Sequence, residues 1–156
     1  MPLLNVSFGI FAFMPQGWLF MMFIILMETS IMNRVLGKKG KEMRVFVSAL
    51  AANGVSGIVG IAASLLINGG WWLVVWFPWV SSHEVNVHEP RALTGLVAYY
   101  LVAMVLSILI EWGLNHAILK KIFPARKILK ATLWANGASY ALGAILITLL
   151  CTLLST

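Results

Sequence analysis

The chain has 156 residues, of which 61% are hydrophobic and only 10% charged, whereas an ordinary soluble domain is about 45–50% apolar and about 25% charged. This composition excludes a disordered chain, a disulfide scaffold and an ordinary cytosolic enzyme. The net charge of +6 does not indicate nucleic-acid binding, because ten of the eleven basic residues lie in two short segments, residues 34–44 and 120–130, and not on an extended basic face.

Four apolar runs predict four transmembrane helices, at residues 17–36, 43–67, 92–119 and 128–154, since one span needs about 20 apolar residues. The sequence therefore predicts a single all-α integral membrane domain, residues 1–156, with no separate soluble domain. The two basic segments form the turns after the first and third helices. By the positive-inside rule they are cytoplasmic, and both termini and the central loop lie outside. We expect a multi-pass protein of the bacterial inner membrane, with the lipid bilayer as its first partner.

The central loop, residues 68–91, is predicted to be an aromatic outer loop. It contains four of the seven Trp residues, and Trp is enriched at the membrane interface. An interfacial belt is the favoured interpretation of this segment, and an outer binding surface is the alternative. The aromatic residues are Trp71, Trp72, Trp76 and Trp79.

The two halves of the chain are related by an internal sequence repeat. The segment Ile25 to Gly60 overlies the segment Ile108 to Gly143 without gaps and with eleven identities. Repeat 1 covers residues 17–67 and repeat 2 covers residues 92–154. Both hairpins start outside, so they are parallel repeats, which are related by an axis along the membrane normal. The expected architecture is a four-helix bundle with a pseudo-twofold axis.

The repeat also predicts a polar layer inside the membrane. Glu28 and Asn53 are equally far from the first turn, and Glu111 and Asn136 are equally far from the second. Residues equidistant from the turn of a hairpin lie at the same depth, so each carboxyl should be within hydrogen-bond reach of an amide. A charged carboxylate costs about 2.5 kcal/mol or more at this depth, which favours the protonated acid. Two interpretations stay open, namely structural Glu–Asn pairs and a proton or cation site.

Small residues recur every four positions on the second and fourth helices. Such spacing lets helix backbones approach closely, either within one bundle or between subunits of a homo-oligomer. The predicted packing residues are Ala52, Ser56, Gly60, Ser64, Ala135, Ser139 and Gly143.

Two His-Glu pairs in the central loop combine residue types that ligate zinc, and they could form a metal site: His83, Glu84, His88 and Glu89. The spacing is not typical of a helical metal site, so a solvated polar loop is the favoured interpretation. The chain contains no Asp and shows no catalytic constellation. We therefore expect no cofactor and do not expect an enzyme.

Glu28 and the run Ala135-Asn136-Gly137-Ala138-Ser139-Tyr140 resemble the cyanobacterial filament-integrity (FraC-like) family of small membrane proteins. The resemblance covers the beginning of the chain up to about Leu65 and the end of the chain from about Lys127. It implies a membrane protein of cell–cell septa that supports filament cohesion and exchange through septal junctions. Two classes of function result. The first is a structural or assembly role with a membrane-protein partner, and the second is a small proton- or cation-coupled transporter or channel that uses the Glu/Asn layer.

Overall fold

The computed structural model describes residues 15–37, 40–67 and 90–154, which form four α-helices and, within these ranges, no strand. The helices are α1, Pro15–Leu36; α2, Glu42–Ile67; α3, Pro90–Leu119; and α4, Ala125–Leu154. The all-α class is confirmed, and each helix begins within three residues of its predicted start and ends at its predicted end. Helix α3 begins at Pro90, two residues before its predicted start. The Trp-rich and His-Glu segments of the loop lie outside the described residues.

Local sequence explains where the helices stop and start. Gly37 has a φ of 68°, a left-handed conformation that only glycine adopts without strain. Its N–H donates to the Asn33 carbonyl at 3.0 Å, which is the common glycine C-cap of a helix. Pro90 is the first residue of α3, where its missing N–H costs nothing. Pro124 separates α3 from α4, because proline cannot continue a helix from the preceding residues.

The four helices form a closed ring. Each hairpin packs its own two helices together, α1 on α2 and α3 on α4. The ring is completed by contacts of α2 with α3 and of α1 with α4. Thus α1 and α3 lie opposite one another, and every helix has two neighbours. A side chain that points inward from any helix therefore enters a space shared by both hairpins.

The described part of the bundle is apolar outside and partly polar inside. Its exposed surface carries large hydrophobic side chains on all four helices, among them Phe23, Ile58, Leu106 and Leu133. A hydrophobic core lies near the two turns and includes Met32, Leu36, Leu119, Phe123 and Ile128. Eight polar side chains are nevertheless buried, namely Glu28, Thr29, Ser48, Glu111, Asn115, Thr132, Asn136 and Ser139.

Three of the helices are long and apolar enough to cross a membrane. The qualifying segments are Leu19–Leu36 in α1, Glu42–Gly60 in α2 and Tyr100–Leu119 in α3. The described residues of helix α4 contain no such segment, although the helix has 30 residues. Its first two turns carry Arg126, Lys127 and Lys130, which lower the apolar character of the part nearest the turn.

Candidate functional site

The first hairpin brings a carboxyl and an amide together, as their equal distance from the turn predicted. Glu28 of α1 is buried, with 1% of its surface exposed. Asn53 of α2 donates from Nδ2 to Glu28 Oε2 at 2.7 Å. The same Nδ2 also donates to the carbonyl of Ala49 at 3.0 Å, one turn earlier in α2. This second bond fixes the orientation of the amide toward the carboxyl.

The second hairpin repeats this arrangement with the same distance. Asn136 of α4 donates from Nδ2 to Glu111 Oε2 at 2.7 Å, and also to the Thr132 carbonyl at 3.2 Å. Glu111 also accepts hydrogen bonds from two serines. Ser107, one turn away on α3, donates to Oε1 at 2.9 Å, and Ser56 of α2 donates to the same oxygen at 3.1 Å.

A serine links one carboxyl to the other hairpin. Ser56 of the first hairpin donates to Glu111 of the second, whereas Ser139 of the second hairpin donates to the carbonyl of Asn136 in its own helix at 3.0 Å. These two serines overlie one another in the repeat. The two carboxyls lie on opposite helices of the ring, and Asn53 and Ser56, one turn apart on α2, each contact one of them. The layer is therefore shared by all four helices.

One acceptor in this layer has no partner. The Asn136 Oδ1 atom is buried and makes no hydrogen bond within the described part of the chain. A carboxylate only accepts hydrogen bonds, whereas a carboxylic acid also donates one. If the Asn136 amide rotates by half a turn, Oδ1 takes the place of Nδ2 and can accept a hydrogen bond from protonated Glu111. The amide can thus pair with either protonation state of the carboxyl.

A second polar layer lies one helical turn nearer the basic turns. Asn115 of α3 is buried and accepts a hydrogen bond from Ser48 of α2 at 2.6 Å. Its Nδ2 donates to Thr132 of α4 at 3.1 Å. The sequence analysis missed this layer, and the signal that could have found it is the spacing of Ser107, Glu111 and Asn115. These three side chains recur at every fourth position and so lie on one face of α3.

Polar groups continue on the other side of the carboxyl layer. Ser107, one turn from Glu111 on α3, donates to that carboxyl. Tyr100 donates to the Tyr140 carbonyl at 2.6 Å, and the two rings pack edge to face with centroids 5.1 Å apart. Hydroxyl and amide groups therefore lie on both sides of the two carboxyls along the bundle.

The predicted small-residue positions fall into two groups. Ala52, Ala135 and Ser139 are buried, and Ser56 is half-buried. Gly143 is closely approached, since an added Cβ would lie 2.6 Å from the Tyr100 hydroxyl. Gly60 is exposed, and an added Cβ would meet nothing within 4 Å, so the described residues give it no close helix contact within one bundle. Packing of Gly60 between subunits stays a prediction. The side chain of Ser64 lies outside the described part.

The described residues contain no group of three or more His, Cys, Asp or Glu side chains that could hold a metal ion. The four residues of the alternative metal site, His83, Glu84, His88 and Glu89, lie outside the described ranges. The chemistry of the described residues thus centres on the two carboxyls and their amide and hydroxyl donors.

No family model, curated protein or solved structure matches the chain.

Proposed function

We propose that the chain is a multi-pass membrane protein in which all four helices cross the bilayer as two parallel hairpin repeats. The apolar surface of the described helices supports this proposal, because soluble monomers rarely expose large continuous apolar patches. The buried polar layers support it as well, since polar groups that face lipid would lose their hydrogen bonds. In α4, Ile145 and Leu149 extend the exposed apolar surface well beyond the basic first turns.

The proposed topology has both basic turns on the cytoplasmic side of the plasma membrane and the central loop outside. We test it with single cysteines introduced after Cys151→Ser. An impermeant thiol reagent added to intact cells should label His83→Cys and should miss Lys39→Cys and Ala125→Cys. In inverted membrane vesicles the pattern should reverse. Labelling of position 39 or 125 from outside, with position 83 protected, would contradict the topology.

Within this frame, we propose that the Glu28–Glu111 pair binds and releases a proton during transport across the membrane. The observation that carries the proposal is that two buried carboxyls on opposite helices are contacted by Asn53 and Ser56, which lie one turn apart on α2. Two ionised carboxylates repel one another in a medium of low polarity, so the pair favours a state that holds a proton. Intramembrane ionisable residues commonly mark ion pathways.

The contacts of the carboxyls favour a proton over a larger cation. The oxygens of Glu111 already accept three protein hydrogen bonds, at 2.7, 2.9 and 3.1 Å. A metal cation would have to displace these donors, whereas a proton adds no volume. The free Oδ1 of Asn136 supplies an acceptor for the protonated state. The hydroxyl of Ser107 on one side, and the Asn115 layer on the other, provide groups that can pass a proton along the bundle.

The test is proton flux into proteoliposomes driven by a potassium diffusion potential and followed with an internal pH dye. Glu28→Gln and Glu111→Gln keep a donor and an acceptor but remove the titratable proton. We expect each to lower the flux about tenfold or more while the protein stays folded. Glu42→Gln, at the start of α2 and away from the layer, is the control and should retain the wild-type rate.

If both Gln variants keep the wild-type flux, the proton proposal is wrong. Unchanged proton flux together with sodium- or potassium-dependent flux that the Gln variants abolish would instead identify a cation site.

A structural role is the second candidate. Its support is that Glu111 accepts hydrogen bonds from both hairpins, from Ser56 and from Asn136, which joins the halves of the bundle. In this case the protein is an assembly component that binds a membrane-protein partner or a second copy of itself. Such a role agrees with the junction function that the resemblance to filament-integrity proteins implies. Absence of proton flux together with co-purification of a stoichiometric partner would favour this candidate.

A further inference from the structure

We propose that the groove between α1 and α4 binds an anionic phospholipid at the end of the bundle that carries the basic turns. The inference depends on the membrane location proposed above, but not on the proton site. The groove has a volume of about 660 Å³ and is lined by side chains of both helices. It lies on the outer surface of the bundle, away from the carboxyl layer.

The lining of the groove has the two parts that a phospholipid requires. Arg34, Lys127 and Lys130 supply three positive charges near the turns, and no acidic residue is among the described lining residues. Ile31 and Val35 line the adjoining apolar part. Basic pockets between transmembrane helices on the cytoplasmic side bind anionic lipid headgroups. A phosphate at the three cations would place the acyl chains along the apolar part, parallel to the helices.

Trp134 extends this surface along α4. It is 62% exposed and lines both this groove and a second depression of about 730 Å³ on the outer face of α4. The second depression is also lined by Leu133, Gly137 and Ala141, which present an apolar surface with little relief. The indole ring therefore offers a flat contact for an acyl chain at the point where the two depressions meet.

The internal repeat supplies a natural comparison. When the two repeats are aligned, Arg34 overlies Ala117, Lys130 overlies Val47 and Trp134 overlies Ala51. Of the three cations only Lys127 has a basic counterpart, Arg44. The equivalent positions on the α2–α3 side thus keep one of the three charges and lack the indole ring. Helix packing alone does not require this difference, whereas a lipid site on one side does.

The experiment compares two triple variants that remove equal charge from the same end of the bundle. The groove variant is Arg34→Gln with Lys127→Gln and Lys130→Gln, and the control is Arg44→Gln with Lys120→Gln and Lys121→Gln. Each protein is purified in detergent, titrated with phosphatidylglycerol or phosphatidylcholine and measured by native mass spectrometry. We expect wild type and control to retain phosphatidylglycerol, and the groove variant to bind it about tenfold more weakly.

Trp134→Ala should also weaken the binding of phosphatidylglycerol, because this substitution removes the acyl-chain contact without changing the charge of the groove. Circular dichroism of each variant shows whether the helices are intact, and Trp134→Ala keeps the test valid if the triple groove variant does not fold. Equal loss in the groove and control variants, equal binding of phosphatidylcholine, or equally tight binding of inorganic phosphate would each overturn the lipid site. Proton flux of the same variants is measured in parallel, so that the lipid site and the proton site are tested separately. A variant that loses lipid binding but keeps its proton flux has an unaffected carboxyl pair.

Discussion

Glu111→Leu will destabilise the bundle by about 2 kcal/mol or more, because a buried polar group left without its partner costs about 1–3 kcal/mol. The substitution removes the acceptor of three hydrogen bonds, those from Ser56, Ser107 and Asn136. The two serines can turn back to carbonyls of their own helices. The Asn136 amide is buried and then keeps only its bond to the Thr132 carbonyl, with its Oδ1 already unpaired.

The matched control is Glu111→Gln, which preserves the shape and both hydrogen-bonding roles of the side chain. Its free energy of unfolding should lie within about 1 kcal/mol of wild type, given that a hydrogen bond within a membrane protein is worth about 0.6 kcal/mol on average. The measurement is reversible unfolding in mixed micelles of mild detergent and dodecyl sulfate, followed by circular dichroism. A leucine variant as stable as the glutamine variant would show that the layer does not hold the helices together.

Ala52→Leu will also destabilise the fold strongly, by about 1–3 kcal/mol, since overpacking a filled site forces the surrounding helices apart. Ala52 has none of its surface exposed, and it precedes Asn53, the partner of Glu28. A larger side chain here would therefore also move the amide away from the carboxyl. The same unfolding measurement in mixed micelles detects the loss.

Gly60→Leu is the control, two helical turns farther along α2. Because an added Cβ at Gly60 meets nothing within 4 Å, the folded chain should tolerate leucine, with a change in unfolding free energy within about 0.5 kcal/mol. The oligomeric mass in detergent is measured for both variants. A loss of stability at Gly60 equal to that at Ala52 would show that the distinction between the buried and the exposed small residues is incorrect.

The sequence predicted the helices well because each element is marked by a strong local signal. Glycine at a positive φ ends α1, proline stands before α4, and long apolar runs lie between. The pairing of each glutamate with its asparagine could be predicted equally well, because the depth of a residue in a helical hairpin follows from its number of residues from the turn. Four helices and two hydrogen bonds could therefore be placed without any tertiary information.

Contacts between the hairpins could not be predicted in this way. The bond from Ser56 to Glu111 depends on which helices are neighbours and how each is rotated about its axis. Both are set by packing of the whole bundle, as is the layer around Asn115. For the same reason, the regular spacing of small residues grouped Gly60 with Ala52 on one face of α2. In the structure Ala52 is buried in the bundle, whereas Gly60, farther along the same face, is exposed. Periodic spacing in a sequence identifies one face of a helix, but it does not show how far along that face the neighbouring helix extends.

The layer around Asn115 makes the two halves of the chain unlike. In the alignment of the repeats, Asn115, Thr132 and Ser48 overlie Met32, Ala49 and Ala131. Two copies of the second hairpin would set each Asn115 against an alanine, and two copies of the first would set each Ser48 against a methionine. Only the mixed pair supplies Ser48 to Asn115. The layer around Asn115 therefore favours pairing of the first hairpin with the second. If the two hairpins were made as separate polypeptides, we expect them to form heterodimers and not homodimers.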